Sequence, residues 1–437
     1  MKNFGANPLT IHLTESTWST PVQLDEYELQ SLRKVRDEWA KTSSHWSSVP
    51  IDGEKNRETY VVDILPEANG LWRIRVNDAI GAIDLGSSVV IVNPKIPIAH
   101  FAYIAERALV PADRMRSDKA RLGHGEHFLE LIASWTLLAI ERVVRDGLIH
   151  DYSEIEKRIP YFQGKVDVFR STRNILRGNL NFDSRLDVFS ANNSLNRALK
   201  QALNVLLRNQ LLNSDVRQRA ARALKHFGEV GEFSNRDLKV GLSRNSLRYD
   251  EALDFTKHLL LGTGRTLESG PSRAHSFLYK TPSLIEEGIR RIVRDGLSPT
   301  KVIKTSKQMS TLPNSRFVSV NPDLAFESDS KFDGLIVGDI KYKIQSKDWK
   351  RNDLAQAVFF AAAFESPKAL ILDFADTEKM QELGDVAIGK IAVSALSWDI
   401  AETSSPAESE KRIIMQVSDW LATDKLLLLN QDKKLSA

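Results

Sequence analysis

NPDLAF (321–326), GLIVGDIKYK (334–343), DLAQAVFFAAAF (353–364) and KALILDF (368–374) decide how the last third of the chain folds. The second and fourth are apolar runs of strand length, and the third has the length of a helix. The first closes a predicted strand over 316–326. Upstream, TPSLIEEGIRRIVRDG (281–296) reads as a helix, with Thr281 as cap, Pro282 at the first helical position and Gly296 as terminator. Helix, strand, strand, helix, strand in that order implies a sheet with helices packed on it.

The chemistry sits in the same stretch. Side chains two apart on a strand share a face, so Asp339 and Lys341 point one way and Ile340 the other. A charged loop (Glu327, Asp329, Lys331, Asp333) joins the two strands, and a hairpin-like pairing would set Asp323, directly after Pro322, beside Asp339. Two carboxylates and a lysine suit Mg2+-dependent phosphodiester hydrolysis. Mg2+ takes hard oxygen ligands, commonly one or two protein carboxylates, and keeps positions for water and phosphate. A nearby ammonium neutralises charge developing on phosphate. The tripeptide alone means little, because Asp-x-Lys recurs at Asp237, Asp329, Asp348 and Asp432. Only at Asp339 does it lie in a predicted buried strand, after Pro-Asp and before a helix bearing Gln356. The competing reading is a structural ion pair at a sheet end.

Working outward, the 437 residues are 42% hydrophobic and 27% charged, enough for two or three globular domains. No apolar run reaches about 18 residues, so no membrane span is expected, and MKNFGANPLTIHLTE at the start has no apolar core of a secretory signal. With no cysteine, disulfides, iron–sulfur clusters and thiolate zinc sites are excluded, and the cytoplasm is the expected compartment. The net charge of +3 is too small to diagnose nucleic-acid binding, but 121–245 holds 20 basic against 14 acidic residues.

Three segments are expected. Residues 1–115 are strand-rich (9–13, 59–65, 71–76, 87–94) with a helix near 25–41, and read as a docking domain. Residues 116–250 are mainly helical and basic (127–147, 194–212, 216–227). Residues 251–437 hold the candidate site. GHGEHF (123–128) crowds His124, Glu126 and His127, without the spacing of a zinc protease motif. A helix N-terminus with exposed histidines is the simpler reading.

NPDLAF, GLIVGDIKYK and DLAQAVFFAAAF together resemble the nuclease core of the McrC family, the endonuclease subunits of McrBC modification-dependent restriction systems, within the PD-(D/E)xK nuclease superfamily. SLIEEGI (283–289), RDGLIHDY (145–152), FQGKV (162–166), NSLNRALKQAL (193–203) and VNPKIPIAHFAYIAE (92–106) resemble further landmarks of that family, in the same order. The resemblance implies a multidomain α+β and α/β chain: a strand-rich docking domain, a helical middle and a restriction-endonuclease-like domain with a central mixed sheet flanked by helices. It implies Asp323, Asp339 and Glu286 as metal ligands, Lys341 as the catalytic lysine, Gln356 as a residue that positions the site or DNA, and Mg2+ (or Mn2+) as cofactor. Phe360 stands where the family often has Tyr, and Asn192 or Asn193 where it often has Asp.

The resemblance also implies partners: double-stranded DNA and a hexameric McrB-like AAA+ GTPase, whose turnover such subunits stimulate. The chain agrees on one independent point. Its Gly262-Thr263-Gly264-Arg265 lacks the Gly-Lys-Ser/Thr ending of a phosphate-binding loop, so no nucleotide is expected on this chain. Lys301, Lys304, Lys307, Arg316 and Lys343 are candidate DNA-phosphate contacts. Arg170, Arg173 and Arg177 are candidate partner contacts. The alternative function is a non-cleaving adaptor that docks on and activates an AAA+ ring.

Overall fold

The computed structural model describes residues 9–42, 60–109, 128–239, 244–262, 277–297, 302–309, 318–327, 334–379 and 383–423. The chain divides into two compact units, one made of 1–117 with 278–437, the other of 118–277. The sequence predicts three consecutive segments; packing joins the outer two.

The first unit begins with β1 (Leu9–Thr14), β2 (Val22–Gln23), α1 (Glu26–Thr42), β3 (Val62–Pro66), β4 (Leu71–Val76), β5 (Ala79–Asp84), β6 (Ser88–Asn93) and α2 (Ile98–Leu109). The second unit follows with α3 (Phe128–Arg145), β7 (Asp151–Ile159), β8 (Lys165–Val166), α4 (Val168–Leu176), β9 (Phe182–Ser190), α5 (Ser194–Arg208), α6 (Ser214–Leu224) and α7 (Asp250–Gly262). The chain then returns to the first unit through β10 (Phe277–Lys280), α8 (Thr281–Gly296), β11 (Val302–Ile303), β12 (Lys307–Met309), β13 (Val318–Val320) and β14 (Leu324–Glu327). It ends with β15 (Leu335–Ile344), α9 (Arg351–Ala363), β16 (Lys368–Ala375), β17 (Val386–Ile388), β18 (Ile391–Asp399) and α10 (Pro406–Ala422).

Two contacts explain the joining of the outer segments. Strand β10 extends the N-terminal sheet, whose order is β1-β6-β5-β10, and α8 packs along α2. Gly288 permits that approach: a Cβ there would stand 2.3 Å from the Ile104 carbonyl oxygen. Such contacts span nearly 200 residues of sequence, and a reading of local composition does not register them.

The central sheet has the order β11-β14-β15-β16-β18-β17. It is mixed: β15, β16 and β18 run parallel, while β14 and β17 are antiparallel to their neighbours. Helix α9 covers one face, burying Ala357 and Ala361 against Val337, Ile371 and Val393. By strand alternation Ile340 and Tyr342 face the other side, where Tyr342 meets Phe101 of α2 and Phe326 meets Trp420 of α10. The predicted strand over 316–326 is two strands in different sheets, β13 with β12 and β14 with β15. Pro322 lies between them and has no N–H for a ladder.

Two features lock the end of this unit, which the sequence left unassigned beyond 374. The Lys368 ammonium donates to the carbonyls of Trp420, Leu421 and Thr423 at 2.7, 2.9 and 2.9 Å, closing the C-terminus of α10. Asp399 is 1% exposed. Burial alone would raise its carboxyl, but hydrogen bonds from Ser404 Oγ and from the Ala401 and Thr377 N–H groups, with Arg412 beside it, hold it down at about 2. A depressed carboxyl adds stability above its unfolded value and loses it as pH falls through the folded one. Asp399→Asn is therefore expected to cost about 1–2 kcal/mol at pH 7, after allowance for solvent near the half-exposed Arg412. Urea unfolding should show the difference shrinking from pH 5 to pH 2.

In the second unit α3, α5 and α7 pack together, with Trp135 and Phe255 rings 5.8 Å apart. Strands β7 and β9 pair antiparallel from Asp151↔Ser190 to Ile159↔Phe182, and β8 joins them in a three-stranded sheet. This small sheet stands beside a middle region that is otherwise mainly helical. DYSEIEKRI is charged and poor in β-branched residues, so its strand character has no apolar alternation to announce it.

Candidate active site

Pairing of β14 with β15 stops at Leu324↔Gly338, so Asp323 comes next in register opposite Asp339. From there no strand among the described residues pairs with that edge of β15. The Asp323 carboxylate takes the place of one, with Oδ2 accepting the Ile340 N–H at 3.0 Å. From α8, the buried Arg290 donates through Nε to the Asp323 carbonyl at 2.7 Å. Asp323 is thus pinned at both its backbone and its side chain.

Asp339 is 2% exposed. Lys341 Nζ lies 2.5 Å from Asp339 Oδ2 and donates to Gln356 Oε1 on α9 at 2.7 Å. The Lys341–Asp339 contact is an ion pair, and it is the charge that meets the buried Oδ2. Burial pushes the Asp339 carboxyl up, Lys341 opposes this, and the charge of Asp323 pushes it further up. Glu286 on α8 is half-buried and raised by burial, then by Asp323, with Arg290 and Lys341 opposing. The charge of Asp323 therefore acts on both Asp339 and Glu286.

Among the described residues no three acidic or histidine side chains stand close enough to form a closed metal-binding group. Mg2+ does not need one, since water and phosphate commonly fill most of its shell. The charge balance is the observation that fits a cation: the buried Asp339 carboxylate and the Asp323 carboxylate next in register share the Lys341 ammonium, and buried carboxylates are costly unless positive charge meets them. Asp323 and Asp339 are the pair that could hold the ion, with Glu286 near enough to share its field.

The other predicted residues fall differently. Lys343 is paired with Asp353 in the first turn of α9 and only partly exposed. Its charge is met by Asp353 in this structure. The pair ties α9 to β15 three residues before Gln356. Lys304 and Lys307 are exposed, Lys307 lying 3.8 Å from Glu365. Among the described residues neither is joined to the Asp323–Asp339–Lys341 cluster by a hydrogen bond or ion pair. Lys301, Arg316 and the His124–Glu126–His127 group lie outside the described residues. Arg170, Arg173 and Arg177 belong to the second unit, exposed on or just after α4, with Arg170 near Glu156 and Asp167.

Sequence reasoning missed Arg290, Asp353 and Asp373. Arg290 follows Glu286 by four, a same-face spacing on a helix. Asp353 precedes Gln356 by three. Asp373 on β16 is buried and raised to about 7 by that burial, with Ser397 Oγ donating at 2.5 Å and Lys343 nearby. Only its place in an apolar strand marked it.

Gln356→Leu keeps the bulk of this side chain and removes the acceptor that orients Lys341. It is expected to lower DNA cleavage roughly 10–100-fold while metal affinity stays unchanged. Single-turnover cleavage beside a Mn2+ titration checks this.

Residues 74–373 match the family model described as McrBC 5-methylcytosine restriction system component. The chain belongs to this McrBC family. The matched span contains Glu286, Asp323, Asp339, Lys341 and Gln356, and the resemblance read from the sequence is borne out. The fold of this McrBC component is similar to a chain of the half-complex refined from a tetradecameric assembly of Thermococcus gammatolerans McrB AAA+ hexamers with bound McrC. That match has a TM-score of 0.65 and 16% identity, over 94% of this chain and 99% of that one. A chain of the cryo-EM structure of the Thermococcus gammatolerans McrBC complex aligns with a TM-score of 0.45 and 17% identity, over 66% and 88%. No curated protein sequence matches. Among the described residues no helix is long and apolar enough to cross a membrane.

Proposed function

We propose that this McrBC component is the McrC-type subunit, a Mg2+-dependent endodeoxyribonuclease of the PD-(D/E)xK kind. It cuts modified double-stranded DNA of foreign origin in complex with a McrB-like AAA+ GTPase hexamer, whose turnover it stimulates. The single observation that carries the reading is the buried Asp339 carboxylate, ion-paired with Lys341 and set opposite Asp323 where the β14–β15 pairing stops. The similarity to a chain from McrB hexamers with bound McrC supports the partner.

Asp323 and Asp339 hold the metal, with Glu286 completing the acidic surround. When bound, Mg2+ supplies a Lewis acid for the phosphoryl group and lowers the pKa of the attacking water. The chain's own groups do the rest. Lys341, beside Asp339 and held by Gln356, is the ammonium that would face phosphate oxygens. Gln356 keeps it aimed there, and the Lys343–Asp353 pair keeps Gln356 in place. On α4, Arg170 and Arg173, with Arg177 just beyond it and Phe169 and Leu176 exposed beside them, form the proposed partner contact.

The test reconstitutes the chain with a McrB-like ring, GTP, Mg2+ and methylated DNA. Wild-type chain should cut DNA and raise GTP turnover, while Asp323→Ala should raise turnover and leave DNA whole. Stimulated turnover with no cleavage by wild type would establish the adaptor reading instead.

A further inference from the structure

Glu15 follows β1 and is fully buried. Its Oε2 accepts from Thr281 Oγ1 at 2.5 Å, and its Oε1 accepts the Lys95 N–H at 3.1 Å. The Tyr342 hydroxyl reaches the same carboxylate and also accepts the Lys95 N–H at 3.2 Å. Thr281 is held a second time, its N–H donating to the Asp78 carbonyl at 3.0 Å. Lys95 Nζ lies 4.8 Å from the centre of the Tyr342 ring. A fully buried carboxylate is costly, and its retention points to a geometric task for which an apolar contact would not serve.

The partners define that task. Thr281 is the first residue of α8, which carries Glu286 five residues on. Tyr342 follows Lys341 on β15, the strand that also carries Asp339. One carboxylate from the N-terminal sheet therefore grips both elements that deliver acidic groups to the site, on the sheet face away from the site itself. Resting on the metal-site reading above, we propose that Glu15 is a positioning residue for the nuclease centre, setting the spacing of α8 against β15 and so of Glu286 against Asp323 and Asp339. The nuclease site is thus incomplete without the first third of the chain. This accounts for the packing of the outer thirds as one unit.

The experiment measures Mn2+ binding by electron paramagnetic resonance on the full-length, metal-free chain. Tyr342→Phe and Thr281→Val each delete one hydroxyl at nearly constant volume. Each should raise the Mn2+ Kd at least fivefold and lower cleavage kcat, with KM for DNA unchanged. Thr281→Ser keeps the hydroxyl and should stay within twofold of wild type. So should Asp399→Asn, a stability control on β18 that shares no hydrogen bond with Glu15. A rise below fivefold in either hydroxyl-deleting variant overturns the proposal, as does an equal rise in Asp399→Asn. Wild-type chain that binds no Mn2+ sinks the metal site itself, a result distinct from a failure of Glu15.

Discussion

Asp339→Ala and Lys341→Ala should each lower DNA cleavage by the ring-bound chain at least about 100-fold, and by up to roughly 1,000-fold, without weakening ring binding. The two variants fail for different reasons, and the measurements separate them. Asp339→Ala removes a carboxylate of the proposed metal pair, so Mn2+ affinity falls with cleavage. Lys341→Ala leaves both carboxylates in place and removes the ammonium that shields them. Its metal affinity holds or rises while the chemical step fails. Partner-stimulated GTP turnover stays near wild type in both, since neither residue lies in the second unit, which carries α4. Full cleavage by both variants would remove the catalytic assignment.

The second large effect concerns stability. Asp339 and Glu286 are pushed up chiefly by burial, and each also by the charge of Asp323. A carboxyl with a raised folded value binds its proton more tightly folded than unfolded. The metal-free fold is then favoured at low pH and loses that advantage as pH rises from the ordinary carboxylate range through the folded values. Glu15 and Asp373 are raised as well and share the slope. Mg2+ isolates the site's part, because it binds the ionised carboxylates. At 100 times its Kd, Mg2+ should stabilise the chain by about 3 kcal/mol at pH 8 and by much less at pH 5.5. Asp339→Asn should lose most of that dependence and be more stable than wild type in the absence of metal. Urea titrations with and without Mg2+ at the two pH values check both statements. Equal Mg2+ stabilisation of wild type and Asp339→Asn would contradict them.

Much of the site was legible because its signals are local. Asp339 and Lys341 lie two apart on an apolar strand, and α8 spans the predicted 281–296, though Lys280 and not Thr281 is its N-cap, the Thr281 hydroxyl being turned to Glu15 instead. The placement of Asp323 opposite Asp339 followed from one assumption, an antiparallel pair, and β14 with β15 is such a pair. What escaped was long-range or carried by ambiguous residues. Glu15 and Thr281 are 266 residues apart, and nothing in LTIHLTE marks its last residue as buried. AIGAID forms the buried strand β5 from small residues that read as a connection. The charges on β7 and β9 hid their strands. Lys343 looked like a free cation because its partner Asp353 lies on the next helix, across a turn that the sequence does not measure.

The most direct measurement is a calorimetric Mn2+ titration of the full-length chain and of Asp323→Ala/Asp339→Ala. Wild type should take up a divalent ion with an affinity that strengthens from pH 6 to pH 8, and the double variant should take up none at that site. Undiminished uptake by the double variant would contradict the account, because the ion would then be held by other residues.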